Sequence, residues 1–156
     1  MLETAQKTLP DTIPAKTTQG PTSLGGGVTL EWFDNGDMLS FVLTDCRRET
    51  VDFYINTNIT LLNHWDLSTP MKILHDISHE NVSLTPYFRQ RLNEIIPIIN
   101  QTGVHGTSAV VMSKGFLETV IAFFGNAFNR RTPNFKQRYF TDHTKALAWL
   151  KTEPAP

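Results

Sequence analysis

Two short apolar runs frame this chain, Met71 to Ile77 and Thr107 to Ser113. Each has the length of a strand, and apolar runs of that length suit strands buried on both faces. Between them Phe88, Leu92, Ile95, Ile96 and Ile99 recur at steps of three and four, the stripe of a helix packed on a sheet. Thr85-Pro86 opens this helix. A Thr hydroxyl accepts one of the free backbone N–H groups, and Pro suits the first helical position, where its missing donor costs nothing. Pro97 lies inside the stripe and predicts a kink near its middle. Gly103 and Gly106 end the element.

The flanking segments extend the alternation. Val28, Leu30 and Trp32 alternate with polar residues, as do Leu39, Phe41 and Leu43, and Asp34-Asn35-Gly36-Asp37 between them is a turn signal, so a β-hairpin is expected. Residues 50–65 carry Leu61, Leu62 and Trp65 at helical spacing, but β-branched Thr57, Ile59 and Thr60 leave the segment ambiguous. Gly115 to Asn129 reads as one helix, Phe135 to Phe140 as an edge-like strand, and a helix capped by Thr141 or Asp142 runs through Leu150, with Ala146, Trp149 and Leu150 facing inward. A hairpin followed by alternating strands and helices implies an α/β domain with a mixed sheet and helices on at least one face.

Composition bounds the rest. At 156 residues, 40% hydrophobic and 19% charged, the chain fits one globular domain. A net charge of −1 gives no global field for nucleic acid, so no nucleic-acid partner is expected. Cys46 is the sole cysteine, which excludes an intramolecular disulfide and any multi-cysteine metal site. The sequence has neither a signal-peptide pattern nor an apolar run near the ~20 residues a membrane span needs, so the expected location is cytoplasmic and no transmembrane segment is expected. Residues 1–27 hold three Pro, several Thr and Gly25-Gly26-Gly27, and read as a disordered tail or linker, with a short docking or targeting peptide as the alternative; the domain is expected over 28–152.

Little here suggests catalysis. His75-Asp76-Ile77-Ser78-His79 is the cluster that invites an enzymatic or metal-site reading, yet on a strand His75 and Asp76 point to opposite faces and His79 falls beyond its end. Gly-rich phosphate loops and nucleophile elbows are absent. Cys46 sits in a polar turn between Asp45 and Arg47-Arg48, and a lone cysteine there reads as incidental. The segment Gly115 to Arg131 is apolar on more than one face. Either it is buried on two sides or in a dimer, or Phe116, Val120, Phe123, Phe124 and Phe128 meet acyl chains or a membrane with Arg130 and Arg131 at the headgroups.

The order of elements and two stretches resemble the STAS-like superfamily, in its SpoIIAA-like branch bordering on SEC14-type lipid-binding domains. One stretch is Lys72-Ile73-Leu74-His75-Asp76-Ile77-Ser78. The other is Arg138-Tyr139-Phe140-Thr141-Asp142 followed by Lys145-Ala146-Leu147-Ala148-Trp149-Leu150. The resemblance covers roughly Val28 to Lys151 and implies a sheet of four or five strands, three to four helices and no cofactor. In the family's anti-sigma-factor antagonists a Ser or Thr at the start of the helix after that strand is a phosphorylation switch, within an Asp-Ser-Ser/Thr-Gly run. Here the stretch is Asn81-Val82-Ser83-Leu84-Thr85-Pro86, without that Asp and Gly, and Ser83 or Thr85 would take the hydroxyl's place or mark an anion site. The first functional expectation is therefore a non-enzymatic regulatory module that acts through a protein partner or self-association, its surface including Asp76, Ser78 and Arg89. The second is a small lipid-binding or membrane-peripheral domain that uses helix 115–131.

Overall fold

The computed structural model describes residues 9–124 and 127–156, the side chains of Phe123 and Phe124 excepted. Residues 1–8 of the expected tail, and the role expected for Phe123 and Phe124, lie outside the described residues.

The elements are β1 (Thr22–Gly25), β2 (Val28–Phe33), β3 (Met38–Leu43), α1 (Arg48–His64), β4 (Met71–Asp76), α2 (Pro86–Asn93) and α3 (Ile95–Thr102), followed by β5 (Gly106–Val111), α4 (Lys114–Phe124), α5 (Ala127–Arg131), β6 (Phe135–Phe140) and α6 (His143–Thr152). Among the described residues they form an α/β fold on one six-stranded sheet, whose strands lie side by side in sequence order. β1, β2 and β3 pair antiparallel, whereas β3 to β6 are parallel, so the sheet is mixed.

That order decides where the helices go. Each crossover from β3 to β6 steps one strand in the same direction, and crossovers of one hand stepping one way lay their helices on one face. The larger core accordingly joins Phe41, Ile73 and Val110 of the sheet to Val51 and Ile55 of α1, Phe88 of α2, Ile99 of α3 and Val120 of α4. α6 has no strand to return to and covers the opposite face, where Ala146 and Leu150, both fully buried, meet Leu74, Ala109 and Val111. Trp149 is half-buried, its ring 5.7 Å from that of Phe140. Asp142 caps this helix through Lys145 N at 2.9 Å, and Lys72 Nζ donates to Leu150 O at 2.9 Å, a cation at the negative helix end.

The structure revises several expectations. The ordered chain starts before Val28. Gly26 and Gly27 form the two-residue turn of a β1–β2 hairpin, where Gly25 and Gly26 take φ of 114° and 55° that other residues resist, and Gly27 N donates to Thr50 Oγ1 at 2.8 Å. Upstream, Ile13 is buried, and Pro14 O accepts from Trp32 Nε1 at 2.9 Å. β1 thus brings the sheet to six strands. Residues 50–65 belong largely to α1, because Val51, Ile55, Leu61 and Leu62 bury against the core and outweigh the β-branched residues. The kink expected near Pro97 falls at Glu94, which keeps helical φ and ψ of −71° and −23° between α2, ending at Asn93, and α3, beginning at Ile95, since Pro97 has no N–H for the Asn93 carbonyl. Of the helix expected over Gly115 to Asn129, the described residues show α4 (Lys114–Phe124) and α5 (Ala127–Arg131), and residues 125–126 lie outside the described residues.

Candidate functional site

Strand alternation and parallel register together write one wall of a cavity. Met71, Ile73 and His75 of β4, Ser108 and Val110 of β5, and Gln137 and Tyr139 of β6 face α1 to α5. In register, Ile73, Ser108 and Gln137 form one cross-strand row, and His75, Val110 and Tyr139 the next, toward the carboxyl ends of the strands. The helices close over these rows with Phe88, Ile96 and Ile99 from α2 and α3, Phe116 and Val120 from α4, and Phe128 from α5. The space beneath the helices is about 160 Å³ and opens in part to solvent. The walls are mostly apolar.

Two polar groupings interrupt the apolar lining on the floor, and Asn58, Asn93 and Arg131 add polar groups on the helix side, where Asn58 Nδ2 donates to Tyr54 O at 2.8 Å. The Tyr54 hydroxyl lies 2.6 Å from His75 Nδ1, in a hydrogen bond between α1 and β4. The rings of Phe41 and His75 stack at 5.8 Å, and Phe88 lies 6.0 Å from Tyr54. Burial pushes the His75 imidazole down to about 4, so the ring is neutral near pH 7, and burial also raises the Tyr54 phenol. In the second grouping Ser108 Oγ donates to Gln137 Oε1 at 3.3 Å, and Gln137 Nε2 donates to the Tyr139 oxygen at 3.1 Å. Burial raises the Tyr139 phenol as well. The cavity floor is therefore polar yet uncharged.

The cover is fastened by its own bonds. Asn129 of α5 donates from Nδ2 to Gln137 O at 3.0 Å and accepts from Gln137 N at 2.7 Å, which occupies the free edge of β6. Asn100 of α3 donates to Arg131 O at 2.8 Å, joining the two halves of the cover. At the α1–α2 junction Arg91 pairs with Asp52, Glu94 and Asn56, and Tyr87 donates to Asp52.

The residues singled out by sequence fall in several places. His75 and Asp76 do face opposite sides of β4, as register with Val110 and Val111 requires. Asp76 Oδ1 accepts from Ser78 N at 3.1 Å and from Ser78 Oγ at 2.6 Å, shaping the loop after β4. His79 Nδ1 accepts from Asn81 N at 3.1 Å. Among the described residues no three His, Cys, Asp or Glu gather to hold a metal. Thr85 caps α2, accepting from Phe88 N at 3.1 Å, while Ser83 is exposed and lies 3.7 Å from Cys46 Sγ. Arg89 is exposed on the first turns of α2. Within the apolar segment, Val120 is buried, Phe116 and Phe128 are half-buried, and all three line the cavity. Arg130 and Arg131 are exposed at the end of α5, and Arg131 reaches the cavity rim. Ile121 turns outward, 55% exposed.

Sequence reasoning overlooked Tyr54, Ser108, Gln137 and Tyr139. The polar residue in an otherwise apolar β5 run was the available signal for Ser108, since such a residue needs a buried partner. Among the described residues no helix is long and apolar enough to cross a membrane. No family model, no curated protein and no solved structure matches this chain.

Proposed function

We propose that this chain is a non-enzymatic, STAS-like binding domain that holds a small apolar molecule between the carboxyl half of its parallel sheet and the cover formed by α2 to α5. The observation that carries this reading is the mostly apolar space of about 160 Å³ beneath that cover. Engineered apolar cavities of about 150 Å³ bind benzene or xenon, so this volume suffices for one ring or the end of a chain. The SEC14-like side of the resemblance points the same way, with one change: the apolar residues Phe116, Val120 and Phe128 serve the cavity from inside.

Titration of the purified protein with xenon or toluene, followed by methyl NMR, tests the proposal. Shifts confined to Ile73, Val110, Val120 and Ile99 are expected. The Val120→Phe variant, which puts a ring into the space, should abolish them while keeping a folded spectrum. Uniform small shifts over the surface, or no saturable response, would sink the idea.

A further inference from the structure

We infer that the cavity selects an uncharged molecule carrying a hydroxyl group, whose oxygen hydrogen-bonds to the second ring nitrogen of His75. This rests on the proposed binding reading and names the ligand class of that site.

The inference follows from which polar groups face the space and which are already used. The Ser108–Gln137–Tyr139 chain satisfies itself along the sheet. His75 spends Nδ1 on Tyr54 and keeps Nε2 for whatever enters beside it. A neutral imidazole offers a donor at one nitrogen and an acceptor at the other, and the Tyr54 bond settles which only by proton placement. A hydroxyl both donates and accepts, so it answers Nε2 in either tautomer. A carbonyl or an ammonium would answer one of them.

Charge selects further. The groups that face His75 are the Tyr54 hydroxyl and ring and the Phe41 ring. None of them supplies a counter-charge to an ionised ligand group. A carboxylate placed at the floor would carry its desolvation cost unpaired. Arg131, a cationic residue of the lining, is exposed. A purely apolar molecule would fit but would leave Nε2 facing carbon, losing one hydrogen bond.

The test compares three probes of one size, benzyl alcohol, benzoate and toluene, on the full chain at pH 7 by NMR titration and calorimetry. Benzyl alcohol should bind about tenfold or more tightly than benzoate, and several-fold more tightly than toluene, on the worth of one hydrogen bond and one avoided buried charge. The ¹⁵N resonance of His75 Nε2 should move with benzyl alcohol and stay with toluene, a readout on the unaltered protein. His75→Phe should bring the affinity for benzyl alcohol down to that for toluene. Equal affinities for alcohol and toluene with an unmoved Nε2 would overturn the hydroxyl inference and leave the cavity reading standing. Preference for benzoate, lost in Arg131→Ala, would overturn it in favour of an anion site at the rim. Failure of all three probes to bind would take the cavity reading down with it.

Discussion

The Tyr54 hydroxyl and His75 Nδ1, 2.6 Å apart, join α1 to β4 at the cavity floor. Because the ring is enclosed, the folded protein holds His75 neutral down to about pH 4, against an ordinary value of 6.5. The unfolded chain takes up a proton that the folded one refuses. Stability therefore falls as pH drops from about 6.5 to about 4, and this group adds nothing further below that. The gap between those values corresponds to roughly 3 kcal/mol. Urea midpoints at pH 7, 5.5 and 4.5 should decline steeply for the natural sequence and more shallowly for His75→Phe. Parallel slopes would show that His75 is charged in the fold.

Asn129 tests how the cover is held. Its amide makes two hydrogen bonds to the Gln137 backbone, doing for β6 what a seventh strand would do. Asn129→Ala should cost about 1–2 kcal/mol, the usual penalty for deserting bonded backbone groups. Hydrogen exchange at the Gln137 amide should speed up well before exchange at Ala109 in the sheet centre changes. Unchanged exchange at Gln137 would mean that the pair holds nothing in place.

How much of this could be read from sequence depends on how far apart the interacting residues lie. β4, β5 and the Thr85 cap are local patterns, and the capped helix start is where Thr85-Pro86 placed it. Asp142 likewise follows from its immediate neighbours. α1 was ambiguous because propensity is local while the burial of Val51 and Ile55 comes from the sheet. The Gly25-Gly26-Gly27 turn has the composition of a linker, and it became a hairpin through Thr50, 23 residues on from Gly27. The cavity was least legible. His75 drew notice for its neighbours Asp76 and His79, yet its partner is Tyr54 on another element. Ser108 and Gln137 meet only through the β5–β6 register, which a single sequence does not state.

Gly106 is a further test of that register. A Cβ built there would lie 2.1 Å from the Met71 carbonyl oxygen, a backbone atom that cannot rotate away. Met71 and Gly106 are paired at the start of the β4–β5 ladder, so the strands approach closely where the cavity begins. Gly106→Ala should destabilise by about 2–4 kcal/mol, the range for a forced core clash. Thermal unfolding reads this directly, and a midpoint within a degree of the natural protein would show that the strands do not approach so closely.

The segment before β1 makes the last prediction. Ile13 is 5% exposed, Trp32 Nε1 donates to Pro14 O, and Lys16 Nζ lies 4.8 Å from the centre of the Trp65 ring and 5.6 Å from that of Trp32. Those two indoles stack at 6.2 Å, so residues 13–16 form a strap over an aromatic pair at one end of the core. Removing residues 1–20 would uncover the Trp32 ring, orphan its N–H and take away both the Ile13 burial and the cation above the rings. Burial of one Ile side chain contributes about 2 kcal/mol and the cation contacts about 0.5–1 kcal/mol more, so a loss of about 2–3 kcal/mol is expected. Tryptophan emission should shift to the red in the truncated chain under native conditions, as water reaches an indole that the strap had covered. Ile13→Asp in the untruncated chain should reproduce most of the destabilisation, because it leaves the segment in place while removing the apolar anchor. Coincident emission spectra and urea midpoints for all three proteins would show that the domain begins at β1 after all.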